Sequence, residues 1–327
     1  MNTPHYKDKE QLYNLIEGYS NLLREDNDNV QIDIMFVEKV ARKSNPYKTW
    51  MFAVRNDDIY GMIIDTMQNA KHALDEREIR EYDFELSIEE TLQVIKECDV
   101  HTSELIRDAI TIDLDERNTV GDSSDYNRFD FIVIQLSDSS GMESLPRLLL
   151  YKKHLKSPAK YKAARRFILN GTREAKLINK DLLVISSVLD AFCVDGNFYI
   201  LNRNNFNSMM NFKDIYLKII DKHKKLIVDS QLLDNPEEFI RICGENGRYA
   251  PRLSKAILGS GFTTVKNNKQ KLKKLVQDYK LNIEFTSDGK IKYNKDTVNE
   301  VINLLLDHYV ASALTSKKML AIAIEDI

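Results

Sequence analysis

The 327-residue sequence has few of the features that mark secreted, metal-bound or membrane-spanning proteins. Its three cysteines (Cys98, Cys193 and Cys243) are far apart and form no C-x-x-C pair, so we expect buried thiols. The longest apolar runs, such as FIVIQL, have the length of a strand and fall short of the roughly 20 residues that cross a bilayer. The N-terminal MNTPHYKDKEQ is polar and lacks the apolar core of a signal peptide. We therefore expect a cytoplasmic protein, for which any association with a membrane would need a partner.

Familiar catalytic and cofactor-binding motifs are also absent from the sequence. There is no G-x-x-x-x-G-K-S/T phosphate loop, no H-E-x-x-H metal motif and no G-x-S-x-G nucleophile motif. The six histidines are scattered, without partners at the spacing of metal ligands. The sequence thus predicts no cofactor and no metal site, and it favours a protein that is not an enzyme.

Two carboxylate patterns keep a metal-dependent nuclease open as an alternative. Glu174 and Lys176 form an E-x-K arrangement in TREAK, with Asp130 as an upstream acid. Asp113 and Asp115 share a face if IDLDER forms a strand. A magnesium nuclease needs carboxylates that hold the ion and a lysine near the attacking water. Because the E-x-K pattern is short, the nuclease is the secondary hypothesis.

Charge is distributed unevenly along a chain whose formal net charge is only −3. Residues 75–117 hold fifteen acids and five bases, whereas residues 151–180 hold ten bases and one acid. Such asymmetry bears on partners rather than on fold. The turn-rich segment 118–127 predicts a boundary. We expect an acidic N-terminal lobe over 1–120, available for protein contacts, and a domain over 121–327 that carries the basic region.

Hydrophobic periodicity predicts an α+β fold of mixed helices and antiparallel β-hairpins, not a doubly wound sheet. Residues 8–24 have the pattern of an amphipathic helix, and SIEETLQVIKEC begins with the capping-box pair Ser87 and Glu90, which predicts another. Four runs predict strands: VQIDIMFVEK, TWMFAVR, RFDFIVIQLSD and LPRLLLYKKHL. Asp-Gly pairs at 195–196 and 288–289 predict hairpins with tight type I′ turns. Further helices are predicted over about 213–227, 236–243, 249–258, 266–280 and 296–308.

The most basic segment, SPAKYKAARRF, predicts a capped helix. Ser157-Pro158 suits its first turn and Asn170-Gly171 suits its end. Lys162, Arg165 and Arg166 then share one face, opposite an apolar face. We expect this basic face to contact DNA phosphates, helped by the neighbouring bases Lys152, Lys153, Lys156, Lys160, Arg173 and Lys176. An ordinary solvated surface is the alternative, although almost no acid lies nearby in the sequence to neutralise these charges.

A second basic segment, VKNNKQKLKKLVQDYK, predicts a helix with a buried apolar stripe. Its outer face carries three further candidates for DNA contacts: Lys266, Lys269 and Lys273. Upstream, three more bases could extend a basic groove: Arg248, Arg252 and Lys255. The alternative of a solvated surface is stronger here, because lysine is the usual residue on exposed helix faces.

The order of features from Phe129 onward resembles one known family. The strand FDFIVIQL is followed by a basic stretch, the hairpin LDAFCVDGNFYILNRNNF with its helix, and the C-terminal YKLNIEFTSDGKIKYN and EVINLLLDHYVASALTS. This order is similar to that of the family of KwaB, the cytosolic component of the Kiwa anti-phage defence system. The resemblance implies a bacterial defence protein that binds double-stranded DNA, self-associates as a homodimer or higher oligomer, and works with KwaA, a small membrane protein. The resemblance supplies no residue-level motif, so the DNA contacts named above rest on charge and helical geometry.

Three functions follow as hypotheses. The first is a sequence-nonspecific DNA-binding protein of phage defence, which obstructs phage DNA rather than cutting it. The second is the magnesium-dependent nuclease that uses Glu174 and Lys176. The third is a structural interaction protein whose basic face binds an acidic partner.

Overall fold

Helices and strands alternate irregularly along the chain, and most strand pairs are antiparallel, which confirms the predicted α+β class. The computed structural model describes residues 8–25, 27–40, 47–52, 58–83, 85–87, 89–96, 117–119, 128–139, 145–154, 166–170, 174–178, 185–312 and 315–321.

The described α-helices are α1 (Lys9–Glu25), α2 (Asp58–Glu76), α3 (Arg203–Met209), α4 (Phe212–Lys222), α5 (Lys224–Asp229), α6 (Pro236–Glu245), α7 (Tyr249–Leu258), α8 (Gly261–Asn267), α9 (Lys269–Asp278) and α10 (Val298–Leu305). The described strands are β1 (Val30–Lys39), β2 (Tyr47–Phe52), β3 (Glu78–Glu81), β4 (Thr91–Ile95), β5 (Arg117–Thr119), β6 (Phe131–Asp138), β7 (Leu148–Lys153), β8 (Arg166–Asn170), β9 (Glu174–Ile178), β10 (Ala191–Val194), β11 (Asn197–Ile200), β12 (Glu284–Phe285), β13 (Ile291–Lys292), β14 (Tyr309–Ala311) and β15 (Lys318–Leu320).

The chain divides into two compact units, and their boundary differs from the one expected near residue 120. The first unit comprises residues 1–82, 88–99 and 111–209, and the second comprises 83–87, 100–110 and 210–327. Strand β1, from the N-terminal part of the chain, pairs with β6 along its whole buried length, so residues on both sides of position 120 contribute to one sheet. The uneven distribution of charge along the chain could not predict this pairing. Charged residues lie mostly on surfaces, whereas strand pairing depends on buried apolar residues.

The first unit is built on a nine-stranded sheet of order β3-β4-β11-β10-β7-β6-β1-β2-β5. Only the outer pairs β3–β4 and β2–β5 are parallel. Six consecutive residues of β6, Phe131–Leu136, are buried, as expected for a central strand covered on both faces.

Helices α1 and α2 cover one face of this sheet with a continuous apolar stripe. In α1 the buried residues include Leu12, Ile16 and Tyr19, which share one face of the helix as predicted. They belong to the same core cluster as Phe36 of β1 and Ile134 of β6. The sequence analysis did not predict α2, although its buried stripe has helical spacing: Ile63, Met67, Ala70 and Leu74.

One predicted helix is a strand. The segment SIEETLQVIKEC, expected to be helical from its capping-box pair, contains β4, which lies between β3 and β11 in the sheet. Four consecutive residues of β4 are buried: Leu92, Gln93, Val94 and Ile95. A helix would bury only one side of this segment, so the sheet pairing on both edges overrides the local capping signal.

The predicted helix between Ser157 and Asn170 is also wrong at its C-terminal end. Arg166–Asn170 forms β8, which pairs antiparallel with β9, Glu174–Ile178. Residues 155–165 lie outside the described part of the chain. The Asn-Gly pair that was interpreted as a helix end joins two β-rich runs, RFILN and EAKLI, and such a pair is equally a hairpin signal.

The two predicted Asp-Gly hairpins are present but differ in their turns. Asp195 and Gly196 have φ angles of 49° and 76° and join β10 to β11 in a two-residue turn, as expected for type I′. Gly289 has φ 81°, but five residues separate β12 from β13. The longer loop is closed by a hydrogen bond of 2.8 Å from the Thr286 N–H to the Lys290 carbonyl.

Helices α4 to α10 form most of the second unit. The predicted helices over 213–227 and 266–280 are each divided in two, at His223 and at Asn268. The α8 helix begins in close contact with the end of α10: a Cβ atom built on Gly261 would lie 2.1 Å from the Leu305 carbonyl oxygen. This backbone approach is possible only because residue 261 has no side chain.

We predict that Gly261→Ala destabilises the second unit. The added methyl group overlaps the backbone of Leu305, which cannot rotate away as a side chain would, so a loss of about 1–3 kcal/mol is expected. Chemical denaturation of the full chain would measure it. Gly247→Ala in the same unit is the control, because nothing lies within 4 Å of its Cβ position. Equal stability of the two variants would show that α8 and α10 are less closely packed.

Candidate nucleic-acid interface

The α9 helix has one buried and one basic face. Leu272 and Val276 are four residues apart and both are buried, which fixes the orientation of the helix. The side chains of Lys271, Lys273 and Lys274 are exposed. Lys266 and Lys273 are exposed as predicted, whereas Lys269, three residues before Leu272, is partly buried.

Few acids neutralise this surface. The one acid of α9, Asp278, lies at its C-terminal end and pairs with Lys318 at 3.5 Å. Lys266, at the end of α8, donates to the Asp229 carbonyl at 3.3 Å, which leaves its charge uncompensated. Lys273 lies 5.7 Å from the ring centroid of Phe285.

Within the described part of the chain, the four lysines of α9 form no ion pair: Lys269, Lys271, Lys273 and Lys274. We call the outer surface formed by Lys266, Lys269, Lys271, Lys273 and Lys274 the basic face of α8–α9. Closely spaced lysines without acid partners raise the local positive potential, which favours a polyanion as the ligand.

Two bases expected to extend this surface are instead engaged in a largely buried ion cluster of the second unit. Glu85 accepts hydrogen bonds from Arg252 at 2.8 Å and from Lys255 at 3.4 Å. His308 Nε2 lies 3.3 Å from the same carboxylate, and burial lowers the pKa of His308. Arg252 and Lys255 therefore neutralise carboxylates inside the fold rather than forming a groove for DNA. Arg248 remains exposed.

Lys152, predicted to contact DNA, is buried beneath α2. Only 2% of the residue is exposed, and its ammonium donates to the Thr66 hydroxyl at 2.9 Å. Burial lowers the pKa of Lys152 to about 8. Because alternate residues of a strand point to opposite faces, Lys152 follows Leu148 and Leu150 into the core. Its position excludes it from a surface contact in this conformation.

Lys153, the next residue, is exposed and belongs to a polar network around Asp190. The Lys153 N–H donates to the Asp190 carboxylate at 2.7 Å, and the Asn205 side-chain amide donates to its other oxygen at 2.8 Å. The Asp190 carbonyl accepts from the N–H groups of Leu201 and Asn202, both at 2.9 Å. The network fixes β7, the β10–β11 hairpin and α3 together, and it holds the backbone of Lys153 in place.

The other predicted contacts of the first basic region are only partly described. Arg166 begins β8, and Lys176 of β9 is paired in register with Ile168. The remaining five lie outside the described residues: Lys156, Lys160, Lys162, Arg165 and Arg173. Their contribution to a DNA surface stays a prediction.

The residues of the nuclease hypothesis have separate positions in the secondary structure. Asp130 precedes β6, and its carboxylate accepts the N–H of Lys39 at 2.8 Å, which closes the end of β1. Glu174 and Lys176 lie on β9, opposite Asn170 and Ile168. Asp113 and Asp115 lie outside the described residues. No group of three or more metal-binding side chains occurs within the part of the chain that the structure describes.

The sequence analysis also passed over two cations, Lys48 and Arg128. Both lie against the ring of Trp50, with Lys48 Nζ 4.4 Å and the Arg128 guanidinium carbon 3.9 Å from its centroid. Neither residue belongs to a basic run, so composition gave no signal. Only the register of β1 and β2 and the return of the chain at Phe129 bring them together.

Comparison with protein families identifies a match over residues 127–315, to the model described as Kiwa protein KwaB-like. The matched segment is more than half of the chain. The chain belongs to the KwaB-like family. The predicted resemblance is thereby confirmed, and membership implies a component of the Kiwa anti-phage defence system. No curated protein and no solved structure matches the chain.

The KwaB-like match runs from before β6 to beyond β14 and includes both the Asp190 network and the basic face of α8–α9. The segment on which the resemblance was first noted, VDGNFYILNRNNF, forms the β10–β11 turn, β11 and most of α3. Asn202 and Asn205 in that segment form the cap of α3 and the bond to Asp190. Among the described residues, no helix has the length and apolar character needed to cross a membrane.

We predict that Lys152→Met stabilises the first unit near neutral pH and leaves DNA affinity unchanged. The folded pKa of Lys152, about 8, lies below its ordinary value of 10.5, so the unfolded chain binds more protons between these pH values. The contribution of Lys152 to the free energy of unfolding of the wild-type protein therefore rises by roughly 3 kcal/mol as the pH increases through that window. The variant lacks this rise, so the difference in the free energy of unfolding that favours it at pH 7 becomes smaller above pH 8.

Unfolding curves of the two proteins at pH 7 and pH 9 measure this difference. Lys153→Met is the matched control for stability, since Lys153 is exposed. If Lys152→Met folds normally but loses DNA affinity, the prediction is wrong and Lys152 contacts DNA.

Proposed function

We propose that this KwaB-like chain binds double-stranded DNA without sequence preference and obstructs phage DNA by occupying it. The observation that carries the proposal is the basic face of α8–α9, whose exposed lysines have few acid partners among the described residues. Exposed Lys153, which belongs to the first unit, is a further candidate for a phosphate contact.

The chemistry of the basic face favours phosphates over bases. Lysine ammonium groups are flexible point charges, which suit phosphate oxygens, whereas sequence readout relies on planar side chains such as Arg, Asn and Gln that form paired hydrogen bonds to base edges. Each phosphate contact releases condensed counterions, so affinity should fall steeply with salt. Binding of this kind positions the protein along any duplex.

Family membership supports a partner at the membrane. We extend the proposal to self-association, as a homodimer or a higher oligomer, and to a KwaA-like small membrane protein that recruits the chain to the inner face of the membrane. The acidic stretch offers a separate surface for such contacts, since six of its described carboxylates are exposed: Asp75, Glu76, Glu78, Glu81, Glu89 and Glu90. These residues belong to the first unit, whereas the basic face of α8–α9 belongs to the second.

We predict that the triple variant Lys269→Gln, Lys273→Gln, Lys274→Gln loses much of its affinity for duplex DNA. The slope of log affinity against log salt should flatten by about 0.9 for each lysine that contacts a phosphate. Fluorescence anisotropy of a labelled duplex across a salt series would measure both quantities. Leu272 and Val276 hold α9 in place, so the fold should persist.

The matched control changes the same charge in the same unit. Lys213, Lys218 and Lys222 are exposed on α4, where Asp214 and Asp221 lie on the same helix. Their triple exchange to Gln should leave the salt slope nearly unchanged. Equal losses in the two triple variants would indicate a general charge effect and contradict a DNA site on α9.

Cleavage is tested separately with plasmid DNA and Mg²⁺. The proposal predicts intact plasmid and a shifted gel band. Cleavage that disappears in Glu174→Ala would favour the nuclease instead. Failure to shift any nucleic acid at physiological salt would favour the third function, in which the basic face binds an acidic protein.

A further inference from the structure

Trp50, the single tryptophan of the chain, is the centre of a cluster of cations and rings in the first unit. It lies on β2 and is partly exposed. Lys48 Nζ lies 4.4 Å from the centroid of its ring, and the guanidinium of Arg128 lies 3.9 Å from it. The same guanidinium lies 4.8 Å from the ring of Phe129, so two aromatic rings hold it.

The ring of Trp50 is itself fixed. Its indole N–H donates to the Glu38 carboxylate at 3.3 Å, and it contacts the ring of Phe129 with centroids 6.4 Å apart. Phe129 is fully buried and packs on Phe36 at 5.0 Å. The stacking surface beneath Arg128 is therefore anchored in the core, which orders a side chain that is otherwise flexible.

The charge of the cluster is not balanced. It holds two cations and one carboxylate, Glu38, which already accepts the indole N–H. Among the described residues, neither Lys48 nor Arg128 has a carboxylate partner, and Arg128 Nε is buried without a hydrogen-bond acceptor. Contact with an aromatic face compensates the charge of a guanidinium only in part and supplies no acceptor for its five N–H donors.

Shielding of the Trp50 ring from water does not by itself explain the positions of the Lys48 ammonium and the Arg128 guanidinium. The alkyl parts of Lys and Arg side chains suffice to shield an aromatic ring, and their charged ends are then ordinarily solvated or paired with acids. Here both charged ends lie over the ring itself, and the guanidinium of Arg128 also contacts the ring of Phe129. A planar guanidinium held in advance loses little conformational freedom when it binds an oxyanion through paired hydrogen bonds.

We propose that Lys48 and Arg128, held on Trp50, bind a phosphate group, supplied by a nucleic-acid strand or by a free nucleotide. The strand as the source rests on the proposed DNA-binding function, whereas the nucleotide does not. Guanidinium and ammonium groups together favour phosphate over a neutral ligand, and Glu38 at the edge of the ring disfavours anions that approach from its side.

Trp50 makes the site directly observable, because all tryptophan emission of the chain arises there. The emission of the full-length protein is titrated with a short DNA duplex, a nucleoside monophosphate and inorganic phosphate. A saturable change in emission is expected when a phosphate approaches the two cations. Arg128→Gln should raise the half-saturating concentration roughly tenfold, as expected for the loss of one charge-assisted hydrogen bond.

Two further variants keep the test decisive. Arg128→Lys retains the charge without the planar fork and should fall between wild type and Arg128→Gln. Lys48→Gln, a change at a partly exposed strand position, replaces Arg128→Gln if that variant does not fold. Lys213→Gln, distant in sequence and exposed, should leave the titration unchanged.

The outcomes separate this site from the proposed function. No emission change with any of the three ligands, while anisotropy shows DNA binding, would overturn the site and leave DNA binding intact. A response to the nucleotide or to phosphate without any DNA binding would support the site and remove the proposed function. A response to duplex alone, weakened in Arg128→Gln, would identify the strand as the source.

Discussion

Backbone pairing along both edges of β6 is the constraint on which the first unit depends. Six consecutive buried residues leave no water to satisfy the N–H and C=O groups of this strand, so β1 and β7 must supply the partners. Those strands come from opposite sides of β6 in the chain, which unites residues on both sides of the turn-rich segment 118–127. The face covered by α1 and α2, the burial of Lys152 and the return of the chain at Phe129 all follow from this arrangement.

Burial separates basic residues that are alike in sequence. Lys152 occupies an inward position of β7 and bonds to Thr66, while Arg252 and Lys255 neutralise Glu85 in the second unit. The lysines of α9 remain outside, because Leu272 and Val276 orient the helix with its basic face away from the core. A buried basic side chain must be paired with an acid or lose its proton. Only a basic side chain that is neither buried nor paired can attract a polyanion from solvent. This distinction separates the basic residues that serve the fold from those that remain available to a polyanion.

The structure contains two different arrangements of cations that could contact an anion. The basic face of α8–α9 consists of flexible lysines and suits a long, uniform polyanion. Arg128, whose guanidinium contacts the rings of Trp50 and Phe129, is a single local group and suits one phosphate at a time. The Asp190 network, which lies within the segment matched by the KwaB-like family, makes backbone and amide contacts and serves the fold. Family resemblance therefore points to the scaffold, and charge and stacking point to the ligand.

The sequence by itself determined the α+β class, the α1 helix, the strands β1, β2, β6 and β7, the β10–β11 turn and the family. Each of these depends on local periodicity, on turn residues whose φ angles are positive, or on the order of such elements. It also placed Lys273 of α9 on an outer face, because a helix of period 3.6 turns it away from Leu272. Only the tertiary structure decided that Thr91–Ile95 and Arg166–Asn170 are strands, since their hydrogen bonds come from other segments of the chain and not from the local sequence. The tertiary structure alone also buried Lys152, paired Arg252 with Glu85 and placed Lys48 and Arg128 against Trp50. The sequence shows which residues are charged, but packing determines which residues surround each charge.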